Sequence, residues 1–418
     1  APIRSYSQWP GRFKPFHAQR EAAAFLSMNK RAFNLSELGT GKSLASLWAY
    51  DYLRSIGQMN KALVISPLST LERTWADEIF QHFPHLTYTV LHGAKDKRIK
   101  LLKEDFDVYI INHDGVGIIE PHLKDRTDID LVIVDEIAQC ARNASTTRWR
   151  KINTVVNKHK APRACWGMSG TPTPNAPTDA WAQCRLVVPD AVPPYFNRFK
   201  GQVMKQLSQF QWIAKKGATE TVREVMQPSV RFTRDECLDL PPLMYETRAV
   251  ALTKDQGKAY KEMVAKLRIQ ADEGDITAVN EAVKMGKLVQ IACGVVYASD
   301  GTEVTIPATP RIEETRSICH SAQGKVIVFV PFVSSVNMVA EELSKDFTVE
   351  VIHGGVKKDE RDRIFSAFQK TKDPKVLVAQ PAAMSHGLTL TAASTIVWYS
   401  CITSNETFEQ ANGRINRP

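Results

Sequence analysis

Short apolar runs alternate with segments of helical periodicity through the first part of the chain. The runs cover residues 62–66, 107–112, 131–136 and 164–170. They have the length of strands, and helical stretches lie between them. This alternation predicts an α/β fold, in which a parallel sheet is flanked by crossover helices.

One helix start in this part carries a specific signal. Ser69 and Glu72 have the spacing of a capping box, and Leu71, Trp75 and Ile79 then fall on one face of a helix. The sequence therefore predicts a side-chain-capped helix with its apolar face buried.

The pattern changes between about residues 189 and 320, where prolines cluster and segments such as 253–270 have helical spacing. A second series of apolar runs follows. It covers residues 325–332, 347–355, 375–380 and 394–400. We expect a first lobe at 1–188, a helical insertion and junction at 189–245, and a similar second lobe at 246–418.

Composition narrows the class of protein. The chain has 418 residues, 43% hydrophobic and 24% charged, which is typical of a soluble globular protein. No apolar run has the length of a membrane span, and no signal-peptide core is visible. The seven cysteines form no CxxC pair, which favours reduced thiols in a cytoplasm over disulfides or a zinc site. The net charge of +9 permits a polyanionic partner without identifying it.

The strongest local motif is a glycine-containing loop. Gly39, Thr40, Gly41, Lys42 and Ser43 follow an apolar entry and open a helix. Glycines let backbone N–H groups surround a phosphate, and the helix N-terminus adds partial positive charge. Lys42 would reach the β- and γ-phosphates, and Ser43 would bind Mg²⁺. The alternative is a chance glycine turn before a core helix.

Two carboxylates end the third apolar run. Asp135 and Glu136 follow "LVIV", which has the unbroken apolar character of a strand buried on both faces. Open α/β sheets bind ligands at the carboxyl ends of their strands. Asp135 would hold Mg²⁺, and Glu136 would orient and deprotonate the attacking water. The alternative is an acidic helix cap, which the upstream phosphate loop disfavours.

These segments resemble superfamily 2 helicases, and among them the Swi/Snf-type ATP-dependent DNA translocases, in particular bacteriophage and bacterial members. The resemblance extends from about residue 12 to the end, with the motifs in the family's order. It is carried by "FKPFHAQREAAAFL", "SELGTGKS", "VISPLSTLERTWADEIFQHFP", "DEIAQCARNAST", "GMSGTPTPN", "VRFTRDECLDLPPL", "KMGKLVQIACGVVY", "VIHGG", "AAMSHGLTLTAASTIVWYS" and "QANGRINRP".

The resemblance implies two RecA-like lobes, with ATP and Mg²⁺ in the cleft between them and DNA across the face that both form. It implies that Gln19 reads adenine and that Gly387 contacts ATP. It also implies a coupling set, which consists of Ser169, Gly170, Thr171 and Gln410. A monomeric motor in a bacterial or phage-infected host cytoplasm is expected.

Arg414 and Arg417 are three positions apart, so they share one face of a helix. The resemblance implies that they neutralise charge on the transferring γ-phosphoryl, as arginine fingers do. From the residues alone, a solvated basic helix end is the more common alternative.

Candidate nucleic-acid contacts lie in turns after the motifs, where basic and polar groups can meet phosphates. They are Pro67, Arg142, Asn143, Arg148, Arg150, His353, Gly354 and Ser385. Ordinary surface charge is an equally good interpretation of Arg148 and Arg150. No base-reading module is visible, so sequence preference is not expected.

Three functions stay open at this point. They are an ATP-driven translocase on double-stranded DNA, a strand-separating DNA or RNA helicase, and a non-cycling ATP-binding clamp on nucleic acid. Ala138 stands where relatives carry a polar side chain that links the ATP site to the third motif. We therefore expect altered coupling of ATP hydrolysis to DNA rather than lost hydrolysis.

Overall fold

The computed structural model describes residues 3, 14–123, 126–158, 163–208, 211–237, 243–272, 278–297, 302–384, 390–413 and 415. The chain divides into two compact units, one within residues 1–240 and the other within 241–417. Each unit is built on its own sheet.

The described strands of the first unit are β1 (Arg31–Asn34), β2 (Lys61–Ser66), β3 (Tyr88–Val90), β4 (Val108–Asn112), β5 (Ile129–Val134), β6 (Ala164–Met168), β7 (Met204–Gln206), β8 (Trp212–Ala214) and β9 (Ser229–Val230). Seven of these form one sheet in the order β3-β4-β2-β5-β6-β1-β9. All of its strand pairs are parallel. Strands β7 and β8 pair separately as an antiparallel hairpin.

The described helices of the first unit are α1 (His17–Met28), α2 (Lys42–Ser55), α3 (Asp77–His82), α4 (Lys95–Lys103), α5 (Val116–Ile119), α6 (Ile137–Cys140), α7 (Thr147–Asn157), α8 (Ala180–Val187), α9 (Phe196–Val203), α10 (Ala218–Val225) and α11 (Arg234–Cys237). Strand β5 shows how the layers form. Leu131 and Ile133 pack into one apolar cluster, whereas Val132 and Val134 pack into another. Both faces of the sheet are therefore covered, which explains the unbroken apolar run in the sequence.

The second unit repeats this plan. Its described elements are α12 (Lys254–Asp272), α13 (Ala278–Cys293), β10 (Val295–Tyr297), β11 (Glu303–Thr305), α14 (Thr309–Ser321), β12 (Lys325–Phe329), α15 (Val333–Leu343), β13 (Val349–Ile352), α16 (Lys358–Lys370), β14 (Val376–Ala379), β15 (Ala393–Trp398) and α17 (Asn405–Asn412). Strands β13, β14, β12 and β15 form a parallel sheet in that order. Val326 and Val328 of β12 pack on one side, and Ile327 and Phe329 on the other. The predicted α/β class, with two parallel sheets and flanking helices, is confirmed.

The predicted capped helix start at Ser69 is wrong. The chain leaves β2 in a 3₁₀ turn over Leu68–Thr70, and a π-helical segment over Leu71–Ala76 precedes α3. No side chain caps either start. Ser69 lies inside the 3₁₀ turn, whereas an N-cap residue requires a non-helical backbone. The predicted apolar face is buried, as Leu71, Trp75 and Ile79 show.

The stretch expected to form a helical insertion is more varied. It holds helices α9 and α10, but also the β7–β8 hairpin and β9, which pairs with β1 at the edge of the first sheet. Among the described helices, none combines the length and the apolar character that a membrane span requires.

Candidate ATP-binding and catalytic site

The loop between β1 and α2 has a backbone that requires glycine at two positions. Gly39 has φ +84° and Gly41 has φ +75°, both in the left-handed region. Gly41 immediately precedes α2, whose first-turn N–H groups have no partners within the helix. A helix N-terminus of this kind attracts anions.

Lys42 is folded back onto the loop to which it belongs. Its buried ammonium donates hydrogen bonds to the carbonyls of Ser36 at 2.8 Å and Glu37 at 2.9 Å. Thr40 also closes the loop, since its hydroxyl donates to the Glu37 carbonyl at 2.8 Å. A polyphosphate entering the loop would meet an ammonium already positioned there. Ser43, the second residue of α2, is half-buried beside it.

The side chain of Gln19 lies on the phosphate loop. Its Oε1 accepts the N–H of Phe16 at 2.8 Å, and its amide occupies the space above Gly41. A Cβ at position 41 would stand 1.9 Å from Gln19 Nε2. The residue predicted to read adenine is thus buried against the loop.

The predicted coupling residues of the third motif follow β6 and reach the same loop. The N–H of Ser169 donates to the Asn34 carbonyl at 3.2 Å, and the Ser169 hydroxyl accepts the N–H of Thr171 at 3.3 Å. A Cβ at Gly170 would lie 3.4 Å from Leu38. These three residues therefore border the loop directly.

A second segment, missed by the sequence analysis, fixes the loop from its other side. The Glu37 N–H donates to the Phe232 carbonyl at 3.0 Å, and the Phe232 N–H donates to Ser36 Oγ at 3.1 Å. Glu37 Oε2 accepts the N–H of Arg234 at 3.0 Å. These contacts continue the pairing of β1 with β9.

Asp135 directly follows β5 and is buried among hydrogen-bond donors. Its Oδ2 accepts from Ser66 Oγ at 3.1 Å and from Trp75 Nε1 at 3.0 Å, and its Oδ1 accepts from Glu136 N at 3.0 Å. An ionised carboxylate offers about four lone-pair directions, so these donors leave about one on Oδ1.

This donor set fits Mg²⁺. The ion prefers oxygen ligands, keeps several waters, and is commonly held by one or two carboxylates together with substrate phosphates. Among the described residues, no cluster of three or more His, Cys, Asp or Glu side chains could hold a metal ion alone. Asp135 and Ser43 would hold an ion that arrives with the nucleotide, where it would supply charge neutralisation on the phosphates.

Glu136 adopts a strained backbone conformation. Its φ of +46° is the only positive value among the described non-glycine residues. Such conformations cost about 1–3 kcal/mol and cluster at functional sites.

His113 Nε2 lies 2.9 Å from the Asp135 carbonyl, which can only accept, so Nε2 carries the proton. Burial lowers the pKa of His113, which keeps the ring neutral.

Ser66 and His113 were not among the predicted site residues. Both directly end strand-length apolar runs, as Asp135 does, and β4, β2 and β5 are neighbours in the sheet. The carboxyl ends of parallel strands meet at one edge of a sheet. The position of Ser66 and His113 at the ends of apolar runs could therefore have identified them as site residues.

The basic nucleic-acid candidates differ in their surroundings. Arg148 Nε donates to Asp114 Oδ1 at 2.7 Å, whereas Arg142 and Arg150 are exposed. Asn143 Oδ1 accepts the N–H of Ser145 at 2.9 Å and thereby shapes the turn before α7. Pro67 is buried at the start of the turn after β2, whereas the neighbouring Leu68 and Ser69 are exposed.

In the second unit, the predicted site residues that the structure describes lie in the turn after β13 and on α17. His353 is half-buried and Gly354 is exposed in the turn after β13, and Gln410 is buried on α17. The remaining predicted residues lie outside the described residues. They are Ser385, Gly387, Arg414 and Arg417.

A phosphate loop after one strand and a carboxylate pair after another, at the same edge of a parallel sheet, define a P-loop ATPase. Comparison with known proteins gives the family. The SNF2-related domain matches residues 19–293, and the helicase conserved C-terminal domain matches residues 311–418. The chain therefore belongs to the SNF2 family, whose members are helicase-type, DNA-dependent ATPases.

Individual relatives are distant. The chain is 26% identical over 402 residues to putative protein p41 of Acyrthosiphon pisum secondary endosymbiont phage 1, covering 92% of this chain and 85% of that protein. It is 22% identical to the putative ATP-dependent helicase/translocase YwqA of Bacillus subtilis, covering 90% and 42%. It is 25% identical to the ISWI chromatin-remodeling complex ATPase ISW2 of Saccharomyces cerevisiae, covering 91% and 35%. The chain thus spans less than half of the latter two.

The fold is similar to that of solved structures. The SWI2/SNF2 ATPase core of Sulfolobus solfataricus in complex with dsDNA matches 94% of this chain and 83% of its own, with TM-score 0.50 and 21% identity. The Hef helicase domain of Pyrococcus furiosus matches 96% and 92%, with TM-score 0.56 and 14% identity. At these identities the likeness concerns the fold alone.

Proposed function

We propose that this chain is a motor that hydrolyses ATP to translocate on double-stranded DNA without sequence preference. The observation that carries the proposal is the buried Asp135 carboxylate at the same sheet edge as the loop that holds Lys42. Strands β1 and β5 both flank β6 and run parallel to it, so the loop and the carboxylate begin at one edge.

This placement is consistent with the following proposed roles. Lys42 binds the β- and γ-phosphates, Ser43 and Asp135 hold Mg²⁺, and Glu136 orients and deprotonates the attacking water. The loop residues Gly39, Thr40 and Gly41 bind phosphate through their backbone, and Gln19 recognises the nucleotide.

The proposed residues of the second unit keep the roles that the family resemblance implies. Arg414 and Arg417 act as arginine fingers, Gly387 contacts ATP, and Gln410 couples hydrolysis to movement together with the third-motif residues.

Duplex DNA is the proposed track. The similar Sulfolobus solfataricus core is described as being in complex with dsDNA, and the Bacillus subtilis relative is described as a putative helicase/translocase. The net charge of +9 suits a phosphate backbone. Exposed Arg142 and Arg150 are proposed contacts in the first unit, with His353, Gly354 and Ser385 in the second.

The test is a steady-state ATPase titration with blunt duplex DNA, single-stranded DNA and RNA, run beside a Lys42→Ala control. We expect duplex DNA to stimulate phosphate release most strongly and Lys42→Ala to abolish it. Displacement of a triplex-forming strand then measures translocation. Preference for single strands with fork unwinding would instead identify a strand-separating helicase, and nucleotide binding without turnover would identify a non-cycling clamp.

A further inference from the structure

Two buried hydroxyls connect a turn with an exposed tip to the Asp135 carboxylate. The turn, Pro67–Thr70, follows β2 at the carboxyl edge of the sheet, where β5 also ends. Pro67 and Thr70 are buried, whereas Leu68, which is 57% exposed, and Ser69 form the tip. Behind it, the Ser66 and Thr70 hydroxyls bond to each other, and Ser66 reaches Asp135. Thr70 Oγ1 also lies 2.9 Å from the Pro67 carbonyl.

The number of protons makes this connection a switch. Two hydroxyl protons are available for three acceptors, which are the Pro67 carbonyl, the neighbouring hydroxyl and the Asp135 carboxylate. In one arrangement, Thr70 donates to Ser66, and Ser66 donates to Asp135. In another, Thr70 donates to Pro67 and Ser66 donates to Thr70, so Asp135 loses a donor. The remaining combination, Thr70 to Pro67 with Ser66 to Asp135, leaves the two contacting hydroxyl oxygens with no proton between them and is disfavoured by their repulsion.

The balance between the two arrangements depends on the turn. A carboxylate is a stronger acceptor than a carbonyl, which favours the first arrangement unless the Pro67 carbonyl is close to Thr70. Any contact that draws the Pro67 carbonyl away from the Thr70 hydroxyl shifts both protons toward Asp135. Trp75 is different, because its indole N–H has one proton and donates it to Asp135 in both arrangements.

We propose that Ser66 and Thr70 are positioning residues that relay engagement of the Pro67–Thr70 turn by a nucleic-acid backbone to the Mg²⁺-binding carboxylate, while Trp75 holds that carboxylate constantly. The inference rests on the proposed function. It supplies, within the first unit, a link from the turn to the ATP site that does not require a polar side chain at Ala138.

The variants have different expected signatures. Thr70→Val leaves Ser66 to donate to Asp135 permanently, so basal ATPase rises toward the stimulated rate and duplex DNA stimulates little further. Thr70→Ser restores wild-type behaviour. Ser66→Ala removes both a donor to Asp135 and the relay. The ATPase rate therefore stays low, and duplex DNA no longer stimulates it. Trp75→Phe keeps the ring and loses the N–H, so the Mg²⁺ concentration for half-maximal activity rises about tenfold while the stimulation ratio is retained.

A readout independent of turnover accompanies the kinetics. It is the Mg²⁺-dependent part of the thermal shift that ADP produces, which should shrink in Trp75→Phe and Ser66→Ala. Trp166→Phe is the matched control, because Trp166 is also a buried tryptophan of the first unit and donates to the Asn29 carbonyl at 2.8 Å. It should leave both readouts unchanged.

Asp135→Asn distinguishes a failure of the proposed Mg²⁺-binding role of Asp135 from a failure of the positioning proposal. If it retains Mg²⁺-dependent stabilisation by ADP, the proposed role of Asp135 fails. If Asp135→Asn loses that stabilisation while Trp75→Phe, Ser66→Ala and Thr70→Val all behave as wild type, only the positioning proposal is overturned. Normal stimulation by duplex DNA in Thr70→Val would by itself overturn the relay.

Discussion

The amide of Gln19 occupies the space that a side chain on Gly41 would need, with Nε2 1.9 Å from the ideal Cβ position. Gly41→Ala therefore suffers a clash as well as the strain of an alanine at φ +75°, which costs about 1–2 kcal/mol by itself. We expect Gln19→Ala/Gly41→Ala to be more stable than the sum of the two single changes allows. Chemical denaturation without nucleotide measures this coupling.

Gly57→Ala is the control for strain alone. Gly57 has φ +71°, and nothing lies within 4 Å of its ideal Cβ position. Its substitution should cost less than Gly41→Ala and show no coupling to Gln19→Ala. Additive free energies for the Gln19 and Gly41 changes would mean that the amide does not rest on the loop.

The exposed arginines should contribute more to DNA binding than the paired one. Arg148 already meets Asp114 at 2.6 Å, whereas Arg142 and Arg150 are exposed. Each lost phosphate contact lowers the slope of log affinity against log salt by about 0.9. We expect that loss for Arg142→Ala and Arg150→Ala, and a smaller one for Arg148→Ala. Fluorescence anisotropy with duplex DNA across salt concentrations measures the slopes.

Asp114→Asn provides the complementary variant, because it releases the charge of Arg148. It should strengthen duplex binding at low salt, whereas exposed Arg223→Ala on α10 should change little. Equal losses for all the arginines would show that the ion pair with Asp114 does not restrain Arg148.

Arg163 should be the most sensitive basic residue for stability in the first unit. Its buried guanidinium donates to four backbone carbonyls within 2.6–3.1 Å, and burial lowers its pKa. The acceptors belong to Ile129, Val155, Leu123 and Arg126. Arg163→Met leaves them without this donor, so we expect a loss of about 3 kcal/mol or more in the free energy of unfolding. Chemical denaturation measures it.

Exposed Arg223→Met serves as the control for Arg163→Met and should stay within about 0.5 kcal/mol of the wild type. A comparable small effect at Arg163 would show that water replaces the guanidinium without penalty.

The accuracy of the sequence-based predictions followed the distance over which the residues interact. The phosphate loop is local, since Gly39 to Lys42 form one turn. The succession of β5 and α6 likewise depends on residues that are adjacent in the sequence. The side-chain donors to Asp135 come from 60 and 69 residues away, and the Ser36–Phe232 contact spans 196 residues. Such contacts depend on strand order, which hydrophobic periodicity does not specify. The predicted capped helix start after Pro67 was wrong because the chain forms a 3₁₀ turn at Leu68–Thr70 instead.

Ala138 is buried on α6, just after the proposed catalytic pair Asp135 and Glu136. If this position governs coupling, Ala138→His should leave basal ATPase within a few-fold but alter DNA stimulation. Burial adds a cost, because inserting a ring into a packed site destabilises by about 1–3 kcal/mol. Ala138→Ser supplies a hydroxyl with little added volume and is therefore the cleaner test. We expect normal folding, basal ATPase within a few-fold, and a changed ratio of stimulated to basal rate. Ala141→Ser, equally buried in the same segment, should leave that ratio unchanged. Collapse of basal hydrolysis in Ala138→Ser alone would assign the position to the chemistry rather than to coupling.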